Sequence, residues 1–263
     1  MILSKGIYLS LYFTINRDLL VEIELREFKK MKLDGATIID GFPSIGLVNT
    51  IAANYLVAAL NLDQIAAIDS DRFPAVSMIY ANKPKFPARI YASEELKTVV
   101  FLSEFRILPF LYRPLAKTLL NWAKEQKCSL IISPVGYPVE LLPMEKELDV
   151  MGVGSTDKAR QKLISNHIKQ LNIGIIPGIS GLLLNEGRWA NFDVISLVIP
   201  IQPDMPEVKV AVKVVEIIDK LIPEIRVDIS PLQQEAERIA ERLKVLRKQA
   251  KPVESQPPWG VYE

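Results

Sequence analysis

The 263-residue chain has one cysteine, Cys128, and one histidine, His167. With no second thiol there is no intrachain disulfide and no Cys-rich zinc site, which fits a reducing, cytoplasmic setting. A lone histidine rules out a His-ligated metal cluster or a His–His relay within one chain, so no metal is expected. Neither charge dominates: 32 Lys and Arg face 31 Asp and Glu. The basic surplus that phosphate contacts demand is missing, and nucleic acid is not an expected partner. No run reaches the ~18 uninterrupted apolar residues that span a bilayer, so no membrane partner is expected either. Ile7 to Phe13 imitates a signal peptide, but Ser10 interrupts it and Thr14-Ile15-Asn16-Arg17-Asp18 follows instead of a small-residue cleavage site. Residues 1–18 read as an N-terminal extension of a soluble protein.

What is present is a large apolar fraction, 49%, enough for a chain of this length to bury a core without covalent staples. Val21-Glu22-Ile23-Glu24-Leu25 alternates with the period of a half-buried strand, and Ala36-Thr37-Ile38-Ile39-Asp40 reads as a fully buried one. The second runs through Gly41-Phe42-Pro43-Ser44-Ile45-Gly46 into a small-residue helix over 47–60, the opening of a parallel α/β unit. Short β-rich runs punctuated by Pro74, Pro84 and Pro87 predict antiparallel excursions over 64–101. Beyond them the pattern predicts a helix over 114–126, strands at 130–133 and 149–154, a helix over 157–170 and a strand at 173–176. A helix opening at Leu182, a strand at 194–199 and an amphipathic helix over 208–221 follow. The expected fold over 19–229 is therefore α/β: one domain with a mostly parallel sheet flanked by helices.

From Ser230-Pro231, a cap with proline at the first helical position, Leu232, Ala236, Ile239, Leu243 and Leu246 recur at spacings of four and three. They form a narrow apolar seam over 230–250, suited to a groove on the same chain or to an oligomer contact. Residues 251–263 hold three prolines and almost no aliphatic side chains, so a mobile extended tail reaching roughly 40 Å is expected.

Candidate chemistry is sparse. Gly41–Gly46 lacks both the G-x-G-x-x-G spacing and the G-K-[ST] ending of nucleotide loops, so no cofactor is expected. Pro134–Pro138 and Pro177-Gly178-Ile179-Ser180-Gly181 also sit at strand ends, where all three turns could line one crevice. No strong base or metal ligand accompanies them. Ser180 echoes a nucleophile elbow, but Leu182 stands where its last glycine belongs. His167 reads as a surface residue of the 157–170 helix and Cys128 as packing. Glu104, Arg106, Glu186 and Arg188 lie near turns without a spacing that specifies a site. The chain is not expected to be an enzyme; the alternative is a small-molecule enzyme using the glycine-bearing turns.

The last three residues carry more information. Val261-Tyr262-Glu263 is a hydrophobic residue, a tyrosine and a residue bearing the free carboxylate, at the end of a tether. Such an end suits capture in a pocket, the carboxylate pairing with a lysine, the phenol stacking and hydrogen-bonding, and Val261 filling an apolar notch.

Asp40-Gly41-Phe42-Pro43-Ser44-Ile45-Gly46-Leu47-Val48-Asn49, together with Pro177-Gly178-Ile179-Ser180-Gly181-Leu182-Leu183-Leu184, resembles the proteasome assembly chaperone family over roughly residues 20 to 225. The resemblance implies a nucleoside phosphorylase-like α/β fold without catalytic residues. The added helix and tail resemble the archaeal homologue B type, whose HbYX motif the final three residues match. What this implies is a homo-oligomeric, ATP-independent activator or assembly chaperone of the 20S proteasome. A tetramer is favoured over a pentamer, with a paralogous chaperone as a further candidate partner. Val261, Tyr262 and Glu263 would dock in pockets of the α-ring and favour the open gate.

Overall fold

Strands that are apolar on both faces build the centre of the molecule. The computed structural model describes residues 22–44, 47–138, 150–201, 207–228 and 231–254. A nine-stranded sheet runs in the order β1 (Glu24–Glu27), β3 (Asp63–Asp69), β6 (Ala88–Ser93), β7 (Thr98–Ser103), β2 (Thr37–Gly41), β8 (Leu130–Pro138), β11 (Val194–Ile201), β9 (Met151–Gly154), β10 (Lys169–Gln170). Its four central strands, β7, β2, β8 and β11, are parallel. The wings add antiparallel pairs through β1, β3 and β6 on one side and β9 on the other, and β4 (Met78–Tyr80) with β5 (Lys83–Lys85) forms a separate hairpin. The α/β domain read from the sequence is present.

Alternation along each central strand divides the apolar side chains between two cores. Ile39, Val100, Leu102, Ile132 and Ile195 face one layer, where α1 (Val48–Ala59), α3 (Asp157–Ser165), α5 (Glu207–Leu221) and α6 (Leu232–Glu254) pack. Ile38, Val99, Phe101, Ile131 and Val194 face the other, covered by α2 (Tyr112–Glu125) and α4 (Gly178–Ala190). A strand buried on both faces has no polar side to spare, which is why these segments read as near-continuous apolar runs.

Several boundaries differ from the sequence expectation, for physical reasons. α3 stops at Ser165: His167 turns left-handed at φ 56°, its N–H donates to Ile164 O (3.0 Å), and Ile168 N–H donates to Leu163 O (2.9 Å). This is a Schellman closure, and His167 is its left-handed residue, not part of a helix face. The same closure ends α1 at Asn61, α2 at Lys127 and α4 at Asn191, none of them glycine. The strand expected at 173–176 is absent. The chain leaves β9 after Leu171 N–H donates to Gly152 O (3.1 Å), and Ile173 and Ile175 stand 93% and 83% exposed. Pro177 ends this segment, having no N–H to give a ladder. α4 opens at Gly178 instead of Leu182.

The seam of the C-terminal helix closes on its own chain. Ala236, Ile239, Ala240 and Leu243 are buried in the core shared with α1 and α5. Tyr55 Oη donates to Asp228 O (2.6 Å) and Val227 N–H to Asp219 Oδ1 (2.9 Å), fixing the approach to α6. Burying Ile239 and Leu243 contributes about 1.5–3 kcal/mol each. The helix runs to Glu254, four residues beyond the 230–250 expected. The extension at 1–18 lies outside the described residues, as does the tail from 255 onward.

Gly41 is where α1 meets the sheet. A Cβ there would lie 2.3 Å from Ala53 Cβ and 2.6 Å from Phe101 O, a wall with no flexible side chain to move aside. Gly41→Ala is expected to cost at least about 2 kcal/mol through overpacking. In urea denaturation this reads as a lowered midpoint at unchanged slope.

Candidate functional site

The ladder between β2 and β8 ends at Ile39 opposite Ile132. β2 continues beside β7 to Gly41, and β8 continues beside β11 to Pro138. The two strands thus part at their carboxyl ends, with α1 on one face and α4 on the other. In doubly wound sheets this is where a ligand crevice opens. Here the next residue pair, Asp40 and Ser133, closes the gap with side chains. Ser133 Oγ donates to Asp40 Oδ2 (2.6 Å), and Phe42 N–H donates to Asp40 Oδ1 (3.0 Å). From α4, Ser180 Oγ lies 2.7 Å from Ser133 Oγ and 3.4 Å from Pro134 O. From α1, the Asn49 amide donates to the same Pro134 carbonyl, while Asn49 Oδ1 accepts from Ser44 Oγ (2.6 Å).

The segments around Gly41, Pro134 and Gly178 therefore converge as the sequence suggested, but Pro134–Pro138 is not a turn: it is the second half of β8, paired with β11 beyond the strand expected at 130–133, and Ile45 and Gly46 lie outside the described residues. What sequence reasoning missed is the carboxylate among them. Asp40 is fully enclosed, and burial pushes its pKa up to about 6 against the opposing hydrogen bonds from Ser133 and Phe42. The available signal was an acid directly after Ile38-Ile39 in a strand buried along its whole length. Chemically, the array holds an acid and two hydroxyls, but Ser133 and Ser180 are buried and bonded inward. The geometry suits a latch tying β2, β8, α1 and α4.

The other residues weighed from sequence do not join it. Cys128 is buried at the α2–β8 junction, and burial drives its thiol pKa up to about 12, far from a reactive thiolate. Glu186 reaches Arg113 (3.5 Å), and Arg106 and Arg188 are exposed. Glu104 is sealed against Arg89 in a buried ion pair that the sequence reading did not find, although an arginine inside the apolar run Ala88–Tyr91 marked it. Among the described residues no cluster of three His, Cys, Asp or Glu could hold a metal ion, and no helix is long and apolar enough to cross a membrane. Val261, Tyr262 and Glu263 lie outside the described residues.

The model of the PAC2 family matches residues 38–247, a span that takes in the latch, both cores and most of α6. The chain belongs to the PAC2 family. It is 26% identical over 223 residues to the uncharacterized protein MJ0106 of Methanocaldococcus jannaschii, covering 85% of this chain and 90% of that one. Among solved structures it is similar to Pyrococcus furiosus PbaA, an archaeal homolog of proteasome-assembly chaperone, with TM-score 0.77 and 29% identity over 88% of this chain and 99% of that one. Pyrococcus furiosus PbaB, an archaeal proteasome activator, shares the fold at TM-score 0.69 and 22% identity, again over 88% and 99%. Identity is thus higher with PbaA than with PbaB.

The latch has a pH signature. Folded, Asp40 keeps its proton up to about pH 6; unfolded, it loses it near the ordinary carboxylate value of 3.8. Between these values the folded state binds more protons, so this contribution is fully present below about pH 4 and is lost as pH rises through 6. Asp40→Asn removes the titration. The stability of the variant minus that of the wild type, from urea melts at pH 4 and pH 7, is expected to shift by roughly 2 kcal/mol in favour of the variant at the higher pH. A difference that stays flat would refute the enclosed acid.

Proposed function

We propose that the chain is a homo-oligomeric, ATP-independent assembly chaperone and activator of the archaeal 20S proteasome in the cytoplasm, docking through Val261, Tyr262 and Glu263. The observation that carries this reading is PAC2 membership together with the likeness to PbaA, a homolog of proteasome-assembly chaperone, in a chain whose sequence closes on a hydrophobic–tyrosine–any-residue motif.

The placement of α6 supports it. Its last fully buried side chain among those described is Leu243, yet the helix continues to Glu254. Eleven further residues at 1.5 Å each add about 16 Å of helix, and the nine residues after it span at most roughly 30 Å. A docked helix followed by this length of chain would present Tyr262 and the Glu263 carboxylate well away from the core. The tyrosine ring and carboxylate would enter pockets between α-subunits, and Val261 an apolar notch beside them. Gate opening follows only when the docked tail binds the open ring more tightly than the closed one. Several tails on one oligomer, a tetramer in this reading, would raise the affinity of each weak contact through effective concentration. The alternative of an enzyme working from the glycine-bearing turns is disfavoured by the latch, which occupies that crevice with the chain's own side chains.

The test is addition of the intact protein, its Tyr262→Ala variant and a form lacking 261–263 to purified core particle, with mass spectrometry verifying that Glu263 ends the chain. Peptidase stimulation is expected from the intact protein alone, with all three forms eluting at one oligomeric size. Equal stimulation by the truncated form would end the tail mechanism. Co-expression with α- and β-subunits reads the assembly role separately, as yield of core particle.

A further inference from the structure

Beneath α6, on the sheet face opposite α2, lies a cavity of about 150 Å³ whose lining includes Tyr80, Lys85, Arg89, Glu104, Glu235 and Arg242. Its floor is the buried ion pair. Arg89 Nη2 donates to Glu104 Oε1, Arg89 Nη1 donates to Phe86 O (2.6 Å), and Tyr80 Oη donates to that same Glu104 Oε1 (3.1 Å). The pairing is lopsided. The two side chains are 2% and 1% exposed, yet Arg89 Nε and Glu104 Oε2 have no hydrogen-bond partner among the described residues. A buried donor and a buried acceptor left unmade are each costly, and natural cores satisfy nearly all such groups.

The walls bring further charge. Lys85 Nζ stands 5.8 Å from the ring centroids of both Tyr80 and Tyr91, and Arg89 Cζ lies 5.6 Å and 5.8 Å from the same two rings. Arg242 arrives from α6 and is close enough for its charge to oppose the rise in the Tyr80 pKa that burial causes. Of the carboxylates, Glu104 is committed to Arg89 and Tyr80, and Glu235 accepts from Arg238 (3.2 Å). Among the described residues neither Lys85 nor Arg242 has a carboxylate partner within salt-bridge distance. The cavity is thus lined by half-buried Lys85 and exposed Arg242, neither with a carboxylate partner among the described residues, and the pair at its floor keeps one N–H without an acceptor and one carboxylate oxygen without a donor.

We infer that this cavity is a binding site for a small carboxylate that also carries a hydroxyl or ammonium donor, a hydroxy acid or an amino acid. The carboxylate answers Lys85 and Arg242, and as the buried Arg89–Glu104 pair shifts to admit the ligand, Arg89 Nε gains an acceptor and Glu104 Oε2 a donor. The tyrosine faces supply apolar walls, and the volume excludes anything as large as a nucleotide. Because Glu235 and Arg242 belong to α6 while Arg89 and Glu104 belong to the sheet side, the ligand joins the two. Its binding strengthens the docking of α6 by mass action. The inference is independent of the proposed proteasome role.

Isothermal titration of the intact protein with L-malate and L-glutamate, beside acetate (no donor) and glycerol (no charge), tests it. Saturable binding of malate or glutamate is expected, with acetate and glycerol at least about tenfold weaker. A Lys85→Gln, Arg242→Gln double variant is expected to bind at least about tenfold more weakly, its ligand-free melting temperature unchanged. Hydrogen exchange in α6 should slow when the acid is bound to the wild type and not in the variant. No saturable binding of either acid up to about 10 mM, or equal binding by the variant, overturns the site and leaves a cavity holding solvent only.

Discussion

One residue past the end of their shared ladder, β2 and β8 separate, and the molecule depends on what fills the gap. Parallel strands that part at their carboxyl ends expose backbone groups and the starts of the helices that follow. In many α/β proteins a ligand completes that place. Here the completion is internal. Asp40 and Ser133 carry the pairing one step further through side chains, Asn49 brings in α1 and Ser180 brings in α4. A polar knot of this kind is worth forming only when nearly every member is satisfied, since a half-satisfied one is costlier than an apolar filling. The latch meets that condition at the expense of enclosing an acid that therefore holds its proton unusually late.

The same logic shows which parts of the fold were legible in sequence. Segments such as Ile38–Ile39, Val99–Leu102 and Ile131–Ile132 announce themselves because each face of a central strand has its own core to fill. Helix ends were harder, and the reason is specific. A reader looks for glycine at the left-handed closing position, but α1, α2, α3 and α4 close on Asn61, Lys127, His167 and Asn191. Asparagine tolerates that conformation, while lysine and histidine are held in it by the two backbone bonds of the closure. The false strand at 173–176 came from an apolar Ile-rich pattern of which packing uses only Ile176, while Ile173 and Ile175 face solvent. The two central polar features were marked only by a charged residue inside an apolar run: Asp40 after Ile39, and Arg89 between Ala88 and Ile90. Neither named its partner, because Ser133 lies 93 residues and Glu104 15 residues further along the chain.

The C-terminal helix joins these themes. Its seam reads as a narrow stripe because α6 rests along one line, on α1 and α5, leaving its other faces to water. Beside that line it covers the Arg89–Glu104 pair, and a buried ion pair is weak evidence for stability: desolvating two charges offsets most of what their attraction returns. A core chosen for stability alone would place apolar side chains there. Retaining Arg89, Glu104, Tyr80 and Lys85 under a helix that supplies Glu235 and Arg242 makes sense when the junction has a second occupant to recognise. The grip on α6 then varies with that occupant, whereas an all-apolar contact would be fixed. The helix that carries the chain toward Val261, Tyr262 and Glu263 is thus held on one side by a permanent apolar seam and on the other by a charged cavity whose hydrogen bonding is incomplete without a small acid.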